Sequence, residues 1–289
     1  MPTKVLYLYM MTMKRSNFWL MTTVMLGMLT LSCKDKPKAA ADALTLSASS
    51  LTAKANLKND TSKLSLSLSV SIDYPATYPD ASILKNVRRV MLMDYFPEAD
   101  SVFTTPEKVL KAYVNDYKKF FFESEAANAD VEDEEGMYNT DPWYNNQKTT
   151  IRYNGDFLFS YTISTDRYSG GAHGEKRYIN TVVDLKTGKK ITEDDLFTEK
   201  DKAMVITMIV DNILKQHNLK SVEALEEIGY DLSNLALNNN FYLTKKGLTY
   251  TFNEYEIAGY AVGTTEVFLD FSSLSNYLRP GNPFESLQN

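Results

Sequence analysis

From Leu64 to Ile72 the chain alternates strictly: Leu64, Leu66, Leu68, Val70 and Ile72 are separated by Ser65, Ser67, Ser69 and Ser71. Successive side chains of a strand point to opposite faces, so the pattern requires a strand with one buried and one wet face. A slip of one residue would put every aliphatic group in water. The fold must therefore supply a core against one side of this strand. Leu44 to Leu51 reads as a weaker partner strand, and Pro75 and Pro79 break the chain afterwards.

Helical spacing follows in Ile83, Val87, Val90 and Met91. Thr105 suits an N-cap, Pro106 the first helical position and Glu107 the first turn; each matches the preferences of a helix start. The stripe Val109, Tyr113, Tyr117, Phe120 and Phe121 predicts an amphipathic helix packed on a sheet. Further on, Thr149–Tyr153 and Asp156–Ile163 flank Asn154-Gly155, a strong hairpin signal. Arg177–Asp184 predicts another strand, turned by Lys186-Thr187-Gly188. A long helix is expected from about Glu199, with Ile206, Ile209, Val210, Ile213 and Leu214 inward. It should end near His217-Asn218, where His suits the helix dipole and Asn tolerates a left-handed cap. Phe241–Leu243 and Leu248–Phe252 predict a hairpin turned at Lys246-Gly247, Glu266–Phe271 a last strand, and Leu274, Tyr277 and Leu278 a short closing helix. Runs of strands with helices set apart define an α+β fold, an antiparallel sheet with helices packed on one face. Two intimately associated subdomains are expected, residues 44–165 and 166–280.

The N-terminal stretch carries a different message. Lys14-Arg15 precede an apolar run beginning at Phe18, which leads into Leu29-Thr30-Leu31-Ser32-Cys33. The run, about 14 residues, is shorter than the roughly 20 needed to span a bilayer. A positive start, a short apolar core and a small residue at the cut describe a secretory signal, here with Met13 as the more natural start. Cys33, the single cysteine, directly follows that small residue, as in a bacterial lipoprotein. Residues 1–32 are therefore expected to be a signal peptide, Cys33 the lipidated residue and 33–43 a tether, placing the protein on a membrane of the bacterial cell envelope.

Losing Lys4, Lys14 and Arg15 with that segment takes the formal net charge from −6 to −9. Such a chain is ill suited to nucleic acid, whose phosphates call for basic surface, and is compatible with a cationic partner. Asp130–Gly136 packs five carboxylates into six residues but lacks the order of a calcium loop. It reads as a solvated loop or a cation-attracting surface. The two histidines, His173 and His217, belong to no zinc or nucleophile motif; no metal, cofactor or catalytic residue is expected.

Two glycine-bearing clusters remain. Tyr168-Ser169-Gly170-Gly171-Ala172-His173-Gly174 reads either as a tight connection whose His bonds a carbonyl, or as a recognition loop. Tyr255-Glu256-Ile257-Ala258-Gly259-Tyr260-Ala261-Val262-Gly263 reads either as a buried turn or as a tyrosine contact surface. With Asn180–Gly188 and Ile191–Phe197, the first cluster resembles the extracellular domain of the lysozyme-sensing anti-sigma-V factors. The second, with Val267–Phe271 and the Leu-x-x-Tyr-Leu ending, resembles the same domain's C-terminal half, although Gly259 stands where that family often has Pro. Residues 44–165 look like the companion domain found before the catalytic module of peptidoglycan deacetylase C.

The chain is expected to lack the membrane-crossing and cytoplasmic parts of those factors and the deacetylase module itself. The resemblance then implies a non-enzymatic, lipid-anchored envelope protein that binds a lysozyme-like cationic protein or a cell-wall glycan such as peptidoglycan. Ser169, Gly170, Gly171, His173, Tyr255 and Tyr260 would form its surface, with Trp143 a further stacking face for a glycan. An envelope hydrolase with His173 as general base, and a structural lipoprotein, are the alternatives.

Overall fold

The computed structural model describes residues 42–57, 64–95, 105–128 and 141–288, with side chains left out at 125–128. The expected signal peptide, Cys33, most of the tether and the acidic run Asp130–Gly136 lie outside the described residues.

The chain opens with β1 (Thr45–Asn56) antiparallel to β2 (Ser65–Thr77). The expected alternation holds: Leu66, Leu68, Val70 and Ile72 are buried while Ser67 and Ser69 are exposed. Helices α1 (Ala81–Tyr95) and α2 (Pro106–Asn128) follow. Next come β3 (Trp143–Gly155), β4 (Leu158–Tyr168), β5 (Glu175–Asp184) and the two-residue β6 (Lys189–Lys190). All six strands form one sheet in chain order. Every pair is antiparallel except β2 with β3, which run parallel. Two helices lie between these strands in the chain, and only a long crossover of that kind can join parallel neighbours.

The helices cover one face of this sheet. Val87 and Met91 from α1 and Val109, Val114 and Phe121 from α2 share a core with Leu66, Leu68, Phe159, Tyr161 and Ile163. Phe120, expected inward, lies at the edge of the α2 stripe and is 38% exposed, its ring against Trp143.

A second layer covers the other face of β4 and β5. Helices α3 (Glu193–Leu196), α4 (Glu199–His217) and α5 (Val222–Glu227) precede β7 (Phe241–Thr244), β8 (Gly247–Phe252) and β9 (Thr265–Asp270), which form a three-stranded antiparallel sheet. Helix α6 (Phe271–Leu274) and a turn of 3₁₀ helix (Glu285–Leu287) close the chain. Helix α4 begins at Glu199 and ends at His217-Asn218 as expected; Thr198 caps the start and Asn218 is left-handed at φ 55°. Its inward stripe centres on Val205, Ile209 and Ile213, packed with Leu158, Val182, Leu243, Tyr250 and Val267. Leu158 to Ile163 is consequently buried at every position. The fold is α+β, with helices on one face of the large sheet.

Two expected turns sit elsewhere. The β3–β4 turn falls on Asp156-Phe157, both left-handed at φ 52° and 61°, rather than on Asn154-Gly155. Asn154 is occupied instead: its side chain accepts from the Leu44 amide at 3.0 Å and donates to the Leu44 carbonyl at 2.9 Å. Asp42 receives the Asp156 and Phe157 amides, so the chain entering β1 fixes the displaced turn. Gly247 is a strand residue, and the β7–β8 turn is Lys245-Lys246. Glycine is required at 247 because a Cβ there would stand 2.1 Å from the Leu269 carbonyl oxygen.

Candidate functional site

Two connections meet at one end of the second layer. The first, Ser169–Gly174, joins β4 to β5; Gly170 and Gly171 take φ of 86° and 90°, which side chains rarely adopt. Gly174 permits close approach, since a Cβ there would lie 3.0 Å from the Arg167 carbonyl oxygen and 3.1 Å from the Tyr144 hydroxyl. The second, residues 254–264, joins β8 to β9. Ile257 and Ala258 anchor it in the core, while Tyr255 and Tyr260 stay 65% and 41% exposed. Tyr255 is left-handed at φ 68°, a conformation that costs a non-glycine residue about 1–3 kcal/mol. The Gly259 amide donates to the Gly229 carbonyl, a bond that Pro in its place would lose.

Asparagines bring the two connections together. At the end of β8, Asn253 accepts the Tyr178 amide at 2.7 Å and donates to the Tyr178 carbonyl at 3.0 Å. Asn240 accepts the Asn180 amide at 2.8 Å and also donates to the Tyr178 carbonyl. These side-chain amides satisfy the outer edge of β5 as a neighbouring strand would. Sequence reasoning missed both, although the run Asn238-Asn239-Asn240 before β7 was a visible signal.

Three aromatic rings result from this juxtaposition. The His173 imidazole stacks on Tyr260 with centroids 3.8 Å apart and planes 18° apart. Tyr255 is nearly parallel to both, 6.4 Å from His173 and 6.5 Å from Tyr260. Those distances place it beside the imidazole rather than above it, and its hydroxyl lies 3.2 Å from His173 Nε2. The other ring nitrogen, Nδ1, is 2.8 Å from the Gly174 carbonyl. A carbonyl only accepts, so Nδ1 carries a hydrogen and is the donor to Gly174, while Nε2 is the nitrogen that meets the Tyr255 hydroxyl. His173 thus bonds a carbonyl, as the tight-connection reading required, and its ring also packs against two exposed tyrosines. The three rings form an aromatic platform, with Tyr255 at the edge of the stacked His173–Tyr260 pair.

Beside the platform lies a groove of about 350 Å³, lined by Ser169, His173, Glu175, Arg177, Asn253 and Tyr255 among others. Its charges are balanced: Arg167 binds Glu175 at 2.6 Å, and Lys176, Arg177, Glu254 and Glu256 also line it. Gly170 and Gly171 shape the connection beside it. Burial, followed by the Asp166 carboxylate, raises the Tyr144 phenol above its ordinary pKa.

Trp143, expected as a stacking face, is 4% exposed and wedged against Phe120 and Phe121. Its parity in β3 turns it toward α2, so it is no part of the surface. His217 is engaged elsewhere, with Nε2 2.9 Å from the Tyr230 hydroxyl. Among the described residues no group of three His, Cys, Asp or Glu could hold a metal ion, and no helix is long and apolar enough to cross a membrane.

This architecture joins two recognisable segments. Residues 58–176 match the family model described as Deacetylase PdaC, and residues 194–272 match the model described as Protein of unknown function (DUF3298). A crystal structure of a DUF3298 family member from Bacteroides fragilis is similar at 25% identity and a TM-score of 0.75, over 86% of this chain and 99% of the other. A DUF3298 family protein from Pseudomonas aeruginosa PAO1, 15% identical, shares the fold at a TM-score of 0.54 over 83% and 97% of the two chains. No curated protein matches the chain.

Proposed function

We propose that this chain is a non-enzymatic binding protein of the bacterial envelope, lipid-anchored at Cys33, that recognises a cell-wall glycan through the His173–Tyr255–Tyr260 platform. The observation that carries the reading is the exposed Tyr255 ring, held left-handed and nearly parallel beside the stacked His173–Tyr260 pair, next to a groove of balanced charge. Sugar rings present apolar C–H faces to aromatic planes and hydroxyls to the polar groups around them. The match of residues 58–176 to the Deacetylase PdaC model supports a cell-wall setting. His173 as a hydrolytic base is less well supported: its Nδ1 faces a backbone carbonyl where a triad would have a carboxylate, and Tyr260 covers one ring face.

Binding of the full-length chain to purified peptidoglycan tests the reading. Tyr260→Ala should weaken retention at least about tenfold without lowering the melting temperature, as an anchor in a contact surface does. Unchanged retention would sink the role given to the platform.

A second reading is favoured by the charge of −9 left without residues 1–32: a lysozyme-like cationic protein whose cleft receives the projecting Tyr255. The resemblance of the downstream half to lysozyme-sensing domains points the same way. It predicts saturable binding of hen-type lysozyme that weakens from low to physiological salt, whereas glycan binding should depend little on salt.

A further inference from the structure

We propose that the binding surface continues from the His173 platform over Tyr144 and Tyr168 onto the open face of β1, β2 and β3, so that its ligand is an extended polysaccharide strand rather than a sugar end. This rests on the glycan reading and specifies the ligand.

Tyr144 and Tyr168 face each other directly in the β3–β4 register, their rings offset-stacked at 6.3 Å and 27°. Their parity is opposite to that of Trp143 and Asn145, which are buried beneath α2, so both rings stand on the face away from the helices. Both also abut the connection carrying His173. The Tyr168 hydroxyl donates to the Gly171 carbonyl at 2.9 Å, and the Tyr144 hydroxyl occupies the space a Gly174 side chain would need. A second aromatic station is thereby joined to the first by backbone.

Beyond Tyr144 the registers align Ser67 on β2 and Lys54 on β1, and the next row holds Asn146, Ser69 and Thr52. Each of these five is exposed. The second layer leaves this corner open, because β7 packs over β3, β4 and β5 at the far end of the strands, near Ser160 and Arg152. Neighbouring strands place such groups about 4.8 Å apart, a regular lattice of hydroxyls and amides. No aliphatic side chain stands in either row, whereas a stable protein partner needs an apolar centre. Lys54 and Lys148 on this face are offset by Asp73 and Asp166, which gives a polyanion or polycation no general attraction. Rings at one end and a neutral hydroxyl lattice beyond them match the chemistry of a polysaccharide lying along the sheet.

The test is calorimetric titration of the full-length chain with β-1,4-linked N-acetylglucosamine oligomers: disaccharide, tetrasaccharide and hexasaccharide. Affinity should rise with length. Ser69→Glu, a solvent-face change that spares folding, should weaken the hexasaccharide about tenfold, or ~1.4 kcal/mol, and leave the disaccharide unchanged; Tyr168→Ala should weaken the hexasaccharide more than the disaccharide. Tyr260→Ala should weaken every length. Equal affinity at all lengths, or a hexasaccharide indifferent to both sheet variants, overturns the extension while the platform reading stands. Uniform loss at every length in Tyr168→Ala would make Tyr168 a support for the connection and also overturns it. Absence of binding to any oligomer and to peptidoglycan overturns both readings.

Discussion

At the scale of single residues, backbone space and burial set the sharpest constraints. Gly247 has the Leu269 carbonyl where a side chain would begin, so Gly247→Ala must push β8 from β9. Chemical denaturation should show a loss of about 3 kcal/mol, the upper end of overpacking costs. Glu193 is a buried carboxylate at the start of α3, where Oε1 accepts the Asn239 amide at 2.6 Å. Burial raises its pKa despite that bond. A carboxyl whose folded value exceeds its unfolded one holds its proton more tightly when folded, so its favourable contribution is present at low pH and fades as pH rises through the folded value. Glu193→Gln should therefore raise the melting temperature at neutral pH, with the gain shrinking as pH falls through the raised folded value and gone below about pH 4. A gain that persists in acid would show that ionisation is not the cause. None of this was legible beforehand: the sequence marks Gly247 as a turn residue and gives no sign that Glu193 is buried, because both properties depend on which segment lies opposite.

Elements are where sequence and structure agree best, and the reason is visible in β2. Its alternation answers to one core on one face, so local pattern and tertiary burial carry the same information. The same holds for the ends of α4 and for Ile209 and Ile213 in its stripe, though Val205 is buried where Ile206 and Val210, expected inward, are half-buried. Agreement fails where a distant segment decides. The β3–β4 turn moves by two residues because Asp42 and Leu44 dock there, and Trp143 turns inward because β3 parity is set by its neighbours. The β5 edge is the extreme case, satisfied by Asn240 and Asn253 from another sheet. Replacing Asn253 by Ala strips partners from the Tyr178 amide and carbonyl and should cost about 2 kcal/mol. Hydrogen exchange would localise the damage: faster exchange at Tyr178 is expected, with β1 and β2 unaffected. The candidate platform was half legible in the same sense. His173, Tyr255 and Tyr260 stood out by their glycine neighbours, but the asparagines that unite them did not.

For the whole molecule, the large sheet is the shared wall of two cores, with Phe159, Tyr161 and Ile163 serving one and Leu158 and Val182 the other. Residue 165, the expected boundary between subdomains, lies inside β4. A chain ending there would keep both helices yet lack β5 and the end of β4, and should show no cooperative unfolding transition by circular dichroism; a sharp transition would mean the first core is self-sufficient. The parallel β2–β3 pair bears on how the molecule reaches this state. Strands β3, β4 and β5 pair with sequence neighbours and can zip together soon after collapse, whereas β2, paired locally with β1 alone, joins them only through a crossover of two helices. Closing that long loop carries its entropic cost before any contact rewards it. The meander from β3 to β5 is thus the natural nucleus, with the β1–β2 hairpin docking late. Until it docks, the hairpin's aliphatic face stays exposed, and crowding of nascent chains would do the most harm in that interval.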